Sequence, residues 1–431
     1  MKKLLSLILV FALLFCFTAC GSKDKGGAPE TEAPKTEAPE TEAPETAPPE
    51  EELKTDTLKV GLLINTTGWF ATVDATNYYE FNGMVDYLNE ELGGWKIGDT
   101  LYKIEAVNVD GQSDPNAIRA GAISLVDAGV KFVVETNDFW VASCEDVFED
   151  AGVMHCSAYV TYTADYITED FPLAFTAQNG SVGDFASAMA VLHEVYPDVK
   201  TVIFANDDTG TNEKLYEIMR DCGKDYGIDV LENYIKYAGD TTDYSAIALQ
   251  IVESGADCFM GNGTPTAYGA ILKEVRALGS DMVCACVQGK PAAMLMEYAG
   301  KEASYNAFTM GPSTREEDKS QNTEIFNAVI EKLRKLYGDD VADNFDGAAC
   351  NNLYVLLQVM QKAGSIDPKV VAETWENMGT VETIYGTGTT GGLETYGVAN
   401  HAIGSPRSVS IIDPAAEGGW YFYGWIPTVI P

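Results

Sequence analysis

Short apolar runs alternate with longer stretches of helical spacing over most of the chain, and residues 130–161 show the pattern most clearly. Residues 130–134 form an apolar, β-branched run of the kind buried on both faces of a parallel sheet. Residues 142–150 follow with helical spacing, Ala142, Val147 and Ala151 on one side and Glu145, Asp146, Glu149 and Asp150 on the other. Gly152 stops that helix and residues 153–156 resume as a second strand. Two loops then leave from strand carboxyl ends, where an open parallel sheet holds its ligand. The first is Glu135, Thr136, Asn137, Asp138, Phe139 and Trp140; the second is Ser157, Ala158, Tyr159, Val160 and Thr161. Aromatic faces beside small hydroxyls suit a small organic molecule.

The same alternation extends in both directions. Strands are expected at 58–64, 103–109 and 173–176, with helices at 79–92 and 114–128, the latter capped by Asp114 ahead of Pro115. A second set places strands at 201–205, 229–235, 257–260 and 282–287 and helices at 211–226, 244–254, 265–278 and 291–299. After an apolar run at 306–310 the pattern turns helical at 322–337, 347–363 and 368–379. The end of the chain is rich in Gly and turns, with β-like runs at 408–412 and 420–425. Strands alternating with helices of this length mean an α/β class with parallel sheets, and residues 58–431 exceed one ordinary core, so two lobes are expected.

Ahead of the globular part lies an address. Lys2 and Lys3 precede an uncharged run at 4–17 that ends in Thr18, Ala19 and Cys20, a secretory signal over residues 1–20. The ending Phe17-Thr18-Ala19-Cys20 resembles the bacterial lipobox, whose cysteine carries lipid, although Phe17 stands where Leu is usual. Residues 21–57 repeat Thr-Glu-Ala-Pro from Thr31, Thr36 and Thr41 and offer almost nothing to bury, so they read as an extended tether between a membrane anchor and the folded part. The net charge of −37 argues against nucleic acid and against adhesion to anionic lipid by charge alone. Cys284 and Cys286 lie inside an apolar run and read as packed thiols; no cysteine spacing suits zinc, and a disulfide among the others is left open.

The order of the pieces carries a resemblance. Lys59-Val60-Gly61-Leu62, Asp110-Gly111-Gln112-Ser113-Asp114-Pro115, Phe175-Thr176-Ala177, Asp243-Tyr244-Ser245, Ala256-Asp257 and residues 271–279 together resemble the leucine/isoleucine/valine-binding family. These are type I periplasmic binding proteins that feed ABC importers. The resemblance covers nearly all of 58–431 and implies two Rossmann-like lobes joined by three crossings, near 177–180, 310–314 and within 387–404. Lobe one is then 58–178 with 311–386 and lobe two 179–310 with 387–431, with the ligand enclosed by hinge closure.

It also implies site residues. Ser157, Tyr159, Val160 and Thr161, with Asn137, Asp138 and Phe139, match the loops that take the ligand's carboxylate and part of its ammonium. Trp69 and Phe70 in the loop after the first strand, together with Trp140, add aromatic rings, and Asp208 lies where the second lobe approaches the ligand. The family's acid for an α-ammonium is Gln288 here, which removes a charge-assisted bond of roughly 1.5–3 kcal/mol. Glu135 or Asp138 is expected to replace it, unless the ligand carries no ammonium.

Enzymatic readings find little support. Three histidines, His155, His193 and His401, are scattered, and no GxSxG, GxxxxGK[ST] or HExxH occurs. The glycines at 386–392 are expected to form a turn or hinge rather than a phosphate loop. The expectation is a monomeric receptor, with no catalytic residue, cofactor or metal, for a small hydrophobic or aromatic amino-acid-like solute. Its partners would be a permease and an ATPase. A sensor for a membrane receptor and a receptor for aromatic carboxylates stay open, since one fold serves all three.

Overall fold

The computed structural model describes residues 53–159, 166–208, 211–287 and 291–431, with only the backbone of 72–73 and 136–139. Cys20, Val160, Thr161 and Gln288 therefore lie outside the described residues, as do the side chains of Asn137, Asp138 and Phe139.

The first lobe runs β1 (Lys54–Ile64), α1 (Ala71–Glu90), β2 (Trp95–Ile97), β3 (Thr100–Asp110), α2 (Pro115–Asp127), β4 (Phe132–Asn137), α3 (Asp138–Val141), α4 (Glu145–Ala151), β5 (Met154–Tyr159) and β6 (Ala174–Phe175). Its six strands lie in the order β2-β3-β1-β4-β5-β6, parallel except for the short β2–β3 hairpin. Asp114 caps α2 as its sequence indicates, accepting from the amides of Asn116 and Ala117 at 2.9 and 3.0 Å. Helix α1 starts well before the expected 79. Asp74, Asn77 and Glu80, spaced by three, are all fully buried, so polar side chains interrupt the apolar stripe that would have marked its first turns.

The second lobe continues with α5 (Gly180–Val195), β7 (Thr201–Asp207), α6 (Asn212–Tyr226), β8 (Asp229–Val230), β9 (Ile235–Tyr237), α7 (Ser245–Glu253), β10 (Cys258–Gly261), α8 (Pro265–Ala277), β11 (Val283–Cys286), α9 (Ala292–Ala299) and β12 (Ala307–Thr309). The strand expected at 229–235 is two: β8 pairs with the start of β7 and β9 with its end, across the exposed Glu232 and Asn233. Cys284 and Cys286 alternate with Ala285 on β11 and share one buried cluster, and no disulfide joins the described cysteines.

The chain then returns to the first lobe with α10 (Glu324–Tyr337), α11 (Asp339–Asp343), α12 (Ala348–Ala363) and α13 (Pro368–Asn377). A small antiparallel sheet follows, β13 (Thr380–Thr383), β14 (Gly386–Gly391) and β15 (Ala402–Gly404). The glycine-rich stretch expected as a turn or hinge is mainly a strand. Its glycines permit close approach: a Cβ on Gly391 would fall 2.0 Å from the carbonyl oxygen of Ile430. Val381, Ile384, Tyr385 and Ile403 pack in the first lobe's core, and the chain rejoins the second sheet at β16 (Arg407–Ile412) and β17 (Trp420–Ile426). That sheet runs β17-β16-β12-β11-β10-β7-β8, with β9 also on β7. Each large sheet carries a buried apolar cluster on both faces, as parallel strands require.

Two crossings between lobes run side by side. Thr176 bridges Ala402, its amide donating to the His401 carbonyl at 3.0 Å and its carbonyl accepting from Ile403 at 2.9 Å. Asn351 and Asn352 on α12 hold Ala177 from both ends, one amide donating to its carbonyl at 2.8 Å and the other accepting from its N–H at 2.8 Å. The third crossing, after β12, is tied at Met310 to the strand that begins at Arg407, Met310's carbonyl accepting from Ser408 Oγ at 3.1 Å.

Candidate ligand-binding site

The carboxyl ends of the first lobe's strands are built on the buried polar ladder of α1. Asp74 accepts from the backbone and side-chain amides of Asn65, at 2.9 and 3.0 Å, and so fixes the end of β1. Asn77 donates to the Tyr159 hydroxyl at 2.7 Å, and that hydroxyl donates to Asp346 at 3.1 Å. Glu80 accepts from the amides of Asp346 and Gly347, both at 2.7 Å, and sets the loop ahead of α12. One helix face thereby positions β1, β5 and a distant loop together. Burial, and after it the nearby Asp346 carboxylate, push the Tyr159 phenol well up, so it stays a neutral donor.

Trp69 and Phe70 part company. Phe70 is buried beneath the loop while Trp69 remains 69% exposed, its ring 5.2 Å from Phe70 and 5.9 Å from the buried Trp140. The loop that carries them is anchored by Asp110, which accepts from the Thr67 hydroxyl at 2.6 Å and the Thr66 amide at 2.9 Å. Burial pushes the Asp110 carboxyl up, but the bonds from Thr67, Gln112 and Thr66 outweigh it and hold it below its usual value.

Glu135 departs from expectation. Its carboxylate is buried and bonded to His155 Nδ1 at 2.6 Å, with Cys144 Sγ donating at 3.3 Å. Glu135 is already paired with His155 inside the first lobe. Strand register explains this: Val133 pairs with His155 and Glu135 with Ser157, so the acid and the histidine are diagonal neighbours on one face. The expected loop 135–140 is also shorter than its sequence suggests, because β4 extends to Asn137 and α3 begins at Asp138. Ser157 lies within β5, buried, its hydroxyl donating to the Tyr159 carbonyl at 2.9 Å.

In the second lobe Asp208 is exposed and paired with Lys236 at 3.1 Å. Its neighbour Asp207, at the end of β7, is half-buried. Asp184 on α5 faces the first lobe, held by Arg407 Nε at 3.0 Å and Nη2 at 3.1 Å. Burial raises the Asp184 carboxyl to about 6; Arg407 opposes the rise and the first lobe's Asp346 adds to it. Tyr385 donates to the Asp346 carbonyl at 2.8 Å and stacks on Trp425 of β17 at 5.1 Å, so aromatic packing and facing carboxylates both span the lobes. Asn77, Asp184, Asp346 and Arg407 carried no local motif; polar residues at inward helical positions of α1 were the one available signal.

Among the described residues no group of three or more His, Cys, Asp or Glu is arranged to hold a metal ion. A cavity lined by Glu149, Leu173, Lys369 and Glu376 lies at the opposite, amino-terminal edge of the first sheet. The polar and aromatic groups at the strand carboxyl ends lie where an open parallel sheet holds a small molecule.

Comparisons with known proteins agree with this fold. A leucine-, isoleucine-, valine-, threonine- and alanine-binding protein of Pseudomonas aeruginosa is 25% identical over 272 residues, covering 63% of this chain and 70% of that protein. A Leu/Ile/Val-binding protein homolog of Brucella abortus is 24% identical over 348 residues, covering 76% and 84%. Among solved structures, a branched-chain amino acid transporter substrate-binding protein from Streptococcus pneumoniae, in complex with isoleucine, superposes with a TM-score of 0.63 at 16% identity. It covers 87% of this chain and 100% of that one. An ABC transporter solute-binding protein from R. palustris, in complex with 4-hydroxybenzoate, gives 0.64 at 16% identity, covering 87% and 97%. A family model described as periplasmic binding protein matches residues 57–403, and the chain belongs to that family.

Proposed function

We propose that the chain is an extracytoplasmic lipoprotein, anchored through Cys20, that captures a small hydrophobic amino acid between its lobes and delivers it to an ABC importer. Trp69 is the observation that carries this reading. A large ring left 69% exposed at the carboxyl edge of the sheet, and backed by Phe70 and Trp140, is a platform for an apolar side chain. The named relatives that bind branched-chain amino acids support the same ligand class. The lobes divide as residues 58–178 with 311–404 and 179–310 with 405–431, a late boundary moved from the expected 386 because Ile403 packs in the first core and β16 pairs in the second sheet. Closure about the crossings encloses the solute, and no chemistry follows.

A receptor for aromatic carboxylates is the second reading. It is favoured by the pairing of Glu135 with His155, which leaves the first lobe one acid fewer for an ammonium, and by the relative solved with 4-hydroxybenzoate. A thermal-shift screen over the proteinogenic amino acids and simple benzoates tests both. Leucine, isoleucine, valine or phenylalanine should raise the melting temperature most. A rise with benzoates alone selects the second reading, and a rise with neither class contradicts both.

A further inference from the structure

Among the described residues, the second lobe holds a carboxylate with no cationic partner at the carboxyl edge of its sheet. Asp207 ends β7, and the parallel register pairs it with Tyr237, which ends β9, so the two side chains leave the sheet on the same side. A 2.6 Å bond from the Asp208 amide to the Tyr237 carbonyl locks the two strand ends together. Lys236, which the register sets opposite Asn206, is already paired with Asp208 at 3.1 Å. The Asp207 carboxylate meets its own backbone N–H, and among the described residues no cation pairs with it. Burial pushes its carboxyl up, its own amide opposes this, and Asp208 adds to the rise. A half-buried anion in that state is costly in the empty protein and favourable only against a cation.

The wall around it is aromatic. The Tyr237 ring is buried and its hydroxyl has no hydrogen-bond partner among the described residues. Tyr244, which precedes α7, meets that ring edge-on at 5.6 Å. Tyr268, by contrast, spends its hydroxyl on the Ala205 carbonyl. Gly263 closes the floor: a Cβ there would lie 3.0 Å from the Tyr237 hydroxyl and 2.6 Å from the Tyr268 ring. A carboxylate, an unused phenol and ring faces together make a cation site and repel an anion.

We propose that Asp207, with the Tyr237 hydroxyl and the Tyr244 ring, seats the ligand's ammonium group, and that this protein therefore takes amine-bearing solutes over their deaminated analogues. The inference rests on the proposed ligand cleft between the lobes. It assigns the counter-charge to the second lobe, on a residue other than Glu135, Asp138 or Asp208.

The test is calorimetric titration of the mature chain with L-phenylalanine and with 3-phenylpropionate, which lacks only the amine, and with L-leucine and 4-methylpentanoate. Wild type should prefer each amino acid by roughly ten- to hundredfold, the worth of a charge-assisted bond. Asp207→Asn should abolish that preference while keeping the affinity for the deaminated acids. Tyr237→Phe, a milder change that keeps the ring, should reduce the preference several-fold. Without ligand, Asp207→Asn should melt no lower than wild type, since it removes an unpartnered buried charge. A preference unchanged in Asp207→Asn overturns this assignment alone and leaves the amino-acid reading standing. Equal binding of both classes by wild type overturns it too, and binding of neither overturns the proposed function with it.

Discussion

Tyr159 and Asp346, 187 positions apart in the chain, share a 3.1 Å hydrogen bond at the carboxyl edge of the first sheet. The same phenol accepts from Asn77 at 2.7 Å, so β5, α1 and the loop before α12 meet on one oxygen. Tyr159→Phe keeps the ring and removes that junction, leaving the Asn77 amide without its acceptor. Chemical denaturation should show a loss of about 1–3 kcal/mol, the cost of a buried polar group left unpaired. An unchanged midpoint would mean that the junction contributes nothing.

Glu135 and His155 form the buried ion pair of the first lobe, at 2.6 Å. Removing either partner, by Glu135→Gln or His155→Gln, should cost about 3–5 kcal/mol, because the other stays buried without its close ionic partner. The double substitution should cost far less than the sum. Burial disfavours the histidine's charge, but Glu135 outweighs burial and raises its pKa above the ordinary 6.5. Its stabilising contribution is therefore full below pH 6.5 and is lost as the pH rises through the folded value. A folded-state proton titration of His155 by NMR with its midpoint below 6.5 would contradict this.

How much of this was legible in the sequence depends on the distance over which a residue acts. Parallel strands rich in Val, Ile and Phe, and the Asp114-Pro115 helix start, speak locally, and those elements lie where their patterns put them. Glu135 misled because its partner is set by strand register, which no local pattern encodes. Asp346 and Arg407 were silent for the same reason, being brought to the lobe boundary by chain segments that return late. Asp74, Asn77 and Glu80 hid in the opposite way, since buried polar residues erase the very period that would have revealed their helix.

Asp184 gives the lobe boundary a pH dependence. Burial raises its carboxyl from 3.8 to about 6, so its contribution to stability is full below 3.8 and is lost as the pH rises through about 6. Replacing it by Asn should flatten the stability profile between those values, measured by denaturation at several pH values. Parallel profiles for wild type and Asp184→Asn would show that the acid does not titrate there.

The anchor is tested separately. Cys20→Ser should move the protein from the membrane fraction to the soluble extracytoplasmic fraction, since a lipid on that cysteine is its proposed attachment. Retention in the membrane fraction would place the attachment elsewhere.

The central claim is capture of a hydrophobic amino acid by closure of two lobes, without chemistry. Small-angle scattering of the mature chain, with and without saturating leucine or phenylalanine, tests it most directly when the ligand is recovered and identified afterwards. The account predicts a smaller radius of gyration with ligand, a melting temperature that climbs with ligand concentration by mass action, and ligand recovered unchanged. An unchanged radius under saturation, or recovery of a product in place of the amino acid, would contradict it.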